Sequence, residues 1–290
     1  MKTGLSTYSL LKAIQAGEMD VIGAIQWIKD NGGESVELSP WGWPKQLSES
    51  PDLIDAIVDK CGSIGLALAG YSIGADFLKD TEGQYRAEID RVKKEVDIGG
   101  ALGVKFMRHD AGARPRESIS VKQFNEDLPK LADACREIAD HAKQYGITTS
   151  VENHDFYVQG SERLQRLVLA VDRDNFRTTL DAGNFLCVDE DPVAAVQNNL
   201  PFASNIHMKD FYVRDSVPCA DCGGWIRTTH GRYLRGAIVG FGDIDIPRII
   251  GIIKAFGYDG YISIEFEGAE DCRTASRMGM DNVRKLWNEA

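Results

Sequence analysis

Four short apolar runs in the second half of the chain each finish on an ionisable residue. They read Ser150-Val151-Glu152, Thr179-Leu180-Asp181, Asn205-Ile206-His207 and Ser263-Ile264-Glu265. A single such acid is the usual cap of a turn between strand and helix. Four in succession would gather three carboxylates and one imidazole at one mouth. Three carboxylates cannot share a small, partly dry space without positive charge between them, and a divalent cation supplies that charge. Oxygen donors with a single imidazole suit Mn²⁺ first. Mg²⁺, Co²⁺ and Fe²⁺ suit them too, and Zn²⁺ stays open although thiolate-rich sites favour it more. The expected cofactor is therefore one divalent metal, with Glu152, Asp181, His207 and Glu265 as its ligands.

Other residues stand close enough in sequence to serve such a site. His154 follows Glu152 by two positions, and an imidazole suits proton transfer at neutral pH. His109, in Arg108-His109-Asp110, closes another apolar run and is expected to touch substrate. Lys209 lies two residues past His207, on the same strand face by period-two counting, placed to bind a substrate oxygen or to pair with a carboxylate. Trp41-Gly42-Trp43-Pro44 could form an apolar wall for a sugar face or an aglycone. Arg227, His230, Arg232 and Arg235 are the cations that a phosphate group would call for, or a basic surface for the acidic mouth or a partner. Cys219 and Cys222 form a C-x-x-C pair, but no second pair is present to complete a zinc site.

These residues need a scaffold that brings strand ends together. Eight short apolar runs are visible, at residues 3–9, 35–38, 66–73, 104–108, 147–152, 176–181, 204–209 and 261–265. Their length and β-branched content fit buried parallel strands. Helical patterns separate them at 52–64, 82–102, 124–145, 246–256 and after residue 271, with glycines marking several helix ends. Eight strand–helix units in series predict an α/β fold, a single-domain (β/α)8 TIM barrel over 1–290, whose active site lies at the C-terminal ends of the strands. A doubly wound sheet would show a glycine-rich phosphate loop after its first strand, and Tyr8-Ser9-Leu10-Leu11 stands there instead. The connection after the seventh strand, 211–244, is unusually long and rich in aromatics, which predicts an ordered lid or a partner surface.

Composition narrows the partners. The chain has 290 residues and a net charge of −11, which argues against a nucleic-acid backbone or an anionic membrane surface as partner. No apolar stretch reaches membrane-span length, no secretory leader is visible, and the scattered cysteines do not form a disulfide framework. The expectation is a cytoplasmic enzyme.

Val151-Glu152-Asn153-His154, Leu180-Asp181-Ala182-Gly183-Asn184, Ile206-His207-Met208-Lys209-Asp210 and Ile262-Ser263-Ile264-Glu265-Phe266-Glu267 resemble the xylose-isomerase-like barrel superfamily, in order and spacing along the whole chain. That resemblance implies sugar isomerase or epimerase chemistry. A proton next to a carbonyl is removed through a metal-stabilised enediolate, with Glu152 and Glu265 as the bases on opposite faces. The partner implied is a small-molecule sugar or glycoside, with a homo-oligomer or a small second subunit also compatible. Lyases of the superfamily use the same first step and then eliminate. Inosose dehydratases and the large subunit of C-glycoside deglycosylating enzymes are such lyases, and His154 is the residue that would serve that ending. The sequence Leu180-Asp181-Ala182-Gly183-Asn184-Phe185 departs from the Asp-Thr-Phe-His motif of ketose 3-epimerases. The endonuclease branch needs extra histidines and a basic surface, whereas this chain has five histidines and is acidic. A non-catalytic carbohydrate-binding protein is the remaining alternative.

Overall fold

The computed structural model describes residues 1–219 and 223–290. Eight parallel strands close into a barrel: β1 (Lys2–Ser6), β2 (Ser35–Leu38), β3 (Ala67–Ile73), β4 (Phe106–His109), β5 (Thr148–Glu152), β6 (Phe176–Asp181), β7 (Ala203–Met208) and β11 (Tyr261–Ile264), the last pairing with both β7 and β1. Helices α1 (Leu11–Gln15), α2 (Val21–Asp30), α3 (Pro51–Ile64), α4 (Glu82–Leu102), α5 (Val121–Ala142), α6 (Ser161–Val171), α7 (Pro192–Asn199), α8 (Ile246–Ala255) and α9 (Cys272–Glu289) follow in chain order. The strands are buried almost throughout because helices cover their outer faces, which is why they read as unbroken apolar runs.

The (β/α)8 barrel expected from the sequence is the observed fold. Each of the eight predicted runs overlaps a barrel strand, with ends shifted by up to three residues. Local chemistry explains several boundaries. Ser6 ends β1 because its hydroxyl accepts from the Tyr8 amide and turns the chain into a short 3-10 segment. Thr81 and Gln84 form a reciprocal capping box that starts α4. Gly65 ends α3 in the left-handed region, at φ 61°. Helices α1, α2, α6 and α7 have no counterpart among the helical patterns of the sequence. In α7 the apolar pattern is blurred, since Ala194 sits on the exposed face with Gln197 and Asn198 while Asn199 is buried.

The segment 211–244 does carry structure. β8 (Asp210–Arg214), β9 (Ile226–Arg227) and β10 (Tyr233–Ala237) form an antiparallel sheet in the order β8-β10-β9. This sheet rests on the loops that follow β6 and β4. The Thr229 amide donates to the Cys187 carbonyl at 2.9 Å, Arg232 pairs with Asp189 at 2.8 Å, and Arg116 donates to the Arg227 carbonyl at 2.7 Å. Its root is Asp210, fully buried. The Asp210 carboxylate accepts from the amides of Phe211, Gly240, Gly242 and Ile244. Position 242 must be glycine for this turn, as a Cβ there would lie 2.2 Å from Asp210 Oδ1.

Asp210→Ala removes the acceptor for four backbone donors in a buried place. The expected cost is about 2–4 kcal/mol of stability, read as a lower melting temperature, with faster amide exchange concentrated at residues 240–244.

Candidate active site

The strand ends assemble the predicted cluster. One ligand atom from each of Glu152, Asp181, His207 and Glu265 lies within 4.8 Å of the others, and all four residues are buried. Register explains this: Asp181 stands opposite His207 between β6 and β7, and the Glu265 amide donates to the Met208 carbonyl. Asp181 supplies the clearest sign of a ligand. Its Oδ1 accepts from the amides of Gly183 and Asn184 at 2.7 and 3.0 Å, whereas its Oδ2 is buried and has no hydrogen-bond donor, with Lys209 Nζ 3.4 Å away. A buried carboxylate oxygen without a hydrogen bond fits a cation. The donor set of three carboxylates and one imidazole fits a divalent metal as well.

The same crowding governs protonation. Burial lifts the Asp181 carboxyl first. Glu152 and Glu265 add to the lift, Lys209 and His207 oppose it, and the group settles at about 7. Burial would also raise Glu152, but Arg108 and then His207 outweigh it and hold Glu152 well below the usual carboxylate range. For His207, burial favours the neutral ring, yet Glu37, Glu265 and Glu152 together hold it well above its ordinary value.

Three further residues build the site. Glu37, inside β2, is fully buried. Its Oε2 meets His207 Nε2 at 2.9 Å and accepts from Asn205 at 2.8 Å, while its Oε1 accepts from the Ser72 hydroxyl at 2.9 Å. His207 Nδ1 thereby faces Glu152 at 3.3 Å and Glu265 at 3.5 Å. A carboxylate behind a ligating imidazole fixes its tautomer and ring orientation. Arg108 places Nε 2.6 Å from Glu152 and Nη2 2.8 Å from Asp110. Asn184 donates to Glu152 at 3.2 Å. Glu37 carried a visible signal, a carboxylate in the middle of the buried run Ser35-Val36-Glu37-Leu38.

The remaining sequence candidates separate clearly. Lys209 is buried in the cluster, 3.1 Å from Glu265 and 3.7 Å from Glu267. His154 and Trp41 line an open cavity of about 960 Å³ above the cluster. His154 lies 3.4 Å from Asp110 and 3.3 Å from Asp155, in a turn where Asp155 and Phe156 both take positive φ. Trp41 is 66% exposed at the rim, whereas Trp43 packs in the core. His109 is a correction. Adjacent strand residues face opposite sides, so Arg108 points into the mouth and His109 points outward, fully buried, with its ring 5.9 Å from Phe77 and 6.1 Å from Phe176. Arg227 is a second correction, since it is exposed on β9 and does not line the cavity. Cys222 lies outside the described residues, so the expected pair with Cys219 is not described.

Comparisons with known proteins bear on this site. The sequence profile of the xylose isomerase-like TIM barrel family matches residues 25–286. Inosose dehydratase of Lacticaseibacillus casei is 26% identical over 189 residues, which are 60% of this chain and 61% of that protein. The chain thus spans about three fifths of the length of that relative. The probable 3-DHS dehydratase AsbF of Bacillus anthracis shares the fold with a TM-score of 0.77 at 17% identity, over 98% of this chain and 99% of that one. The IOLI protein, solved with a binding zinc atom, shares it with a TM-score of 0.74 at 16% identity, over 100% and 99%.

Two outcomes follow from the geometry. Glu37→Gln should leave the fold intact by circular dichroism and weaken Mn²⁺ binding about 10–100-fold in calorimetric titration; unchanged affinity would remove Glu37 from the account. Burial holds the His109 ring down at about 4. The unfolded chain then binds the extra proton between pH 6.5 and 4, so stability falls as pH drops through that window, by about 3 kcal/mol at its foot. In His109→Leu, denaturant titrations at pH 7 and pH 4.5 should show a smaller loss than in the unmodified protein.

Proposed function

The chain belongs to the xylose isomerase-like TIM barrel family, and from that premise we propose that it is a divalent-metal-dependent enzyme that removes a proton next to a carbonyl of a sugar or cyclitol and then eliminates a group from the neighbouring carbon. Glu152, Asp181, His207 and Glu265 would hold the ion, Mn²⁺ by preference for this donor set. When bound, such an ion polarises a carbonyl and stabilises the negative charge that develops on its oxygen.

The observation that carries the choice of ending is the unequal state of the two glutamates. Both oxygens of Glu152 are engaged: Oε2 by Arg108 at 2.6 Å, and Oε1 by Asn184 at 3.2 Å and His207 at 3.3 Å. Glu265 has looser company, Lys209 at 3.1 Å and His207 at 3.5 Å. Glu265 is the freer of the two to accept a proton. Epimerisation by two glutamates on opposite faces requires Glu152 to act as well, and its pairing with Arg108 opposes that. Elimination needs one base and one acid. His154 fits the acid: burial pushes its imidazolium down, but Asp110 and Asp155 outweigh that and hold it above its ordinary value. In this reading Glu265 takes the carbon-bound proton, the carbon–carbon double bond forms as the bond to the leaving group breaks, and His154 delivers a proton to the departing oxygen. The similarity to an inosose dehydratase supports this ending. Epimerisation at the same carbon is the second reading. It rests on Glu152 and Glu265 both offering an oxygen to the same cluster.

The test separates the two steps. Proton NMR in D₂O with Mg²⁺-loaded protein would follow a panel of ketoses, inososes and 3-keto-glucosides. Glu265→Gln should abolish deuterium exchange at the carbon next to the carbonyl. His154→Asn should keep that exchange and lose elimination, by about 10²–10⁴-fold. Stereochemical inversion without loss of a group, insensitive to His154, would favour epimerisation.

A further inference from the structure

The cavity above the cluster has a charge pattern that bears on what enters it. Its lining carries eight carboxylates against three side chains of lysine or arginine, so even a bound divalent ion leaves the wall acidic. None of the three cations is free. Arg108 is shared between Glu152 and Asp110, at 2.6 and 2.8 Å, and also donates to the Ile73 carbonyl. Lys209 lies among Asp181, Glu265 and Glu267, the farthest at 3.7 Å. Arg91, on α4 at the outer edge, pairs with Glu88 at 2.8 Å and Glu95 at 3.8 Å and donates to the Gly74 carbonyl at 2.7 Å. His154 stands between Asp110 and Asp155. Asp76, also in the lining, has its partner in Lys79, which does not line the cavity.

Arg227, His230, Arg232 and Arg235 do not line the cavity. Arg232 pairs with Asp189, and Arg235 stacks over Tyr212 and Trp225 in the accessory sheet. Residues 220–222 are Ala-Asp-Cys and add no cationic side chain. A phosphate monoester brings close to two negative charges and needs arginine, lysine or a set of free amides to hold it. Hydroxyl groups need the opposite. They donate to carboxylates and accept from paired guanidinium groups, which is what this wall offers, and the exposed Trp41 ring offers an apolar face at the rim.

We infer that the enzyme takes an uncharged polyhydroxylated substrate, a free keto-sugar, cyclitol ketone or neutral keto-glycoside, and rejects the phosphate esters of the same compounds. This inference rests on the proposed reaction for its site, and the wall charge sets its selectivity.

Matched pairs test it. Mg²⁺-loaded protein in D₂O would be given each neutral compound and its phosphate monoester, and exchange next to the carbonyl followed by NMR. The expected result is exchange with a neutral compound and at least about 100-fold slower exchange with its ester, the size of a discrimination that leaves buried charges unmatched. An ester exchanging as fast as its neutral partner overturns the inference while leaving the proposed reaction standing. Exchange with no compound counts against the proposed reaction, and a binding measurement then decides the charge question on its own. Calorimetric titration with fructose 6-phosphate should show no saturable binding near about 1 mM; saturable binding in that range overturns the inference.

Discussion

Everything at this barrel mouth depends on how three buried carboxylates, Glu152, Asp181 and Glu265, are kept within 4.8 Å of one another and of an imidazole. Left to themselves they would repel and protonate. The chain answers with unequal compensation. Arg108 neutralises Glu152, Lys209 serves Glu265 and Asp181 together, and Glu37 braces His207 from behind. Asp181 is left under-compensated, its carboxyl lifted by burial first and then by its neighbours. Its Oδ2 accepts no hydrogen bond and has Lys209 Nζ 3.4 Å away, which leaves room for a further positive charge. Binding a metal there would draw that proton off, so metal affinity and proton release are linked.

The barrel converts long sequence intervals into contact. The four clustered residues are 29, 26 and 58 positions apart, yet parallel register places each at the same end of its strand. The largest interval contains the accessory sheet. That sheet is rooted on Asp210 and leans on the loops after β4 and β6, so the segment following His207 helps hold the other loops of the mouth. Loops on a rigid strand framework are where such folds vary their chemistry.

Much of this was legible in the chain itself, for definite reasons. Buried parallel strands announce themselves as apolar runs, and an acid or histidine at the end of such a run stands out. That is why the fold and the four clustered residues could be read directly. The misreadings also have physical causes. In Arg108-His109, histidine looked like the functional residue, but strand alternation lets only one of two neighbours face the mouth, and it is arginine. Glu37 is harder to read because it lies inside its run rather than at the end, although a charge in mid-strand is itself a signal. Arg227 was drawn to the mouth by loop position alone. Its actual place is set by the short hairpin of β9 and β10, which leaves Arg227 exposed and outside the cavity lining. Helix α7 is hard to read because an exposed Ala194 and a buried Asn199 blur its apolar stripe.

The central claim is that this cluster is a metal site completed by Asp181. Titration of Mn²⁺ followed by electron paramagnetic resonance tests it most directly. The expected result is one bound Mn²⁺ per chain in the unmodified protein and loss of that binding in Asp181→Asn, with the fold unchanged by circular dichroism. It is contradicted if the unmodified protein takes up no ion, or if Asp181→Asn binds Mn²⁺ as tightly as before.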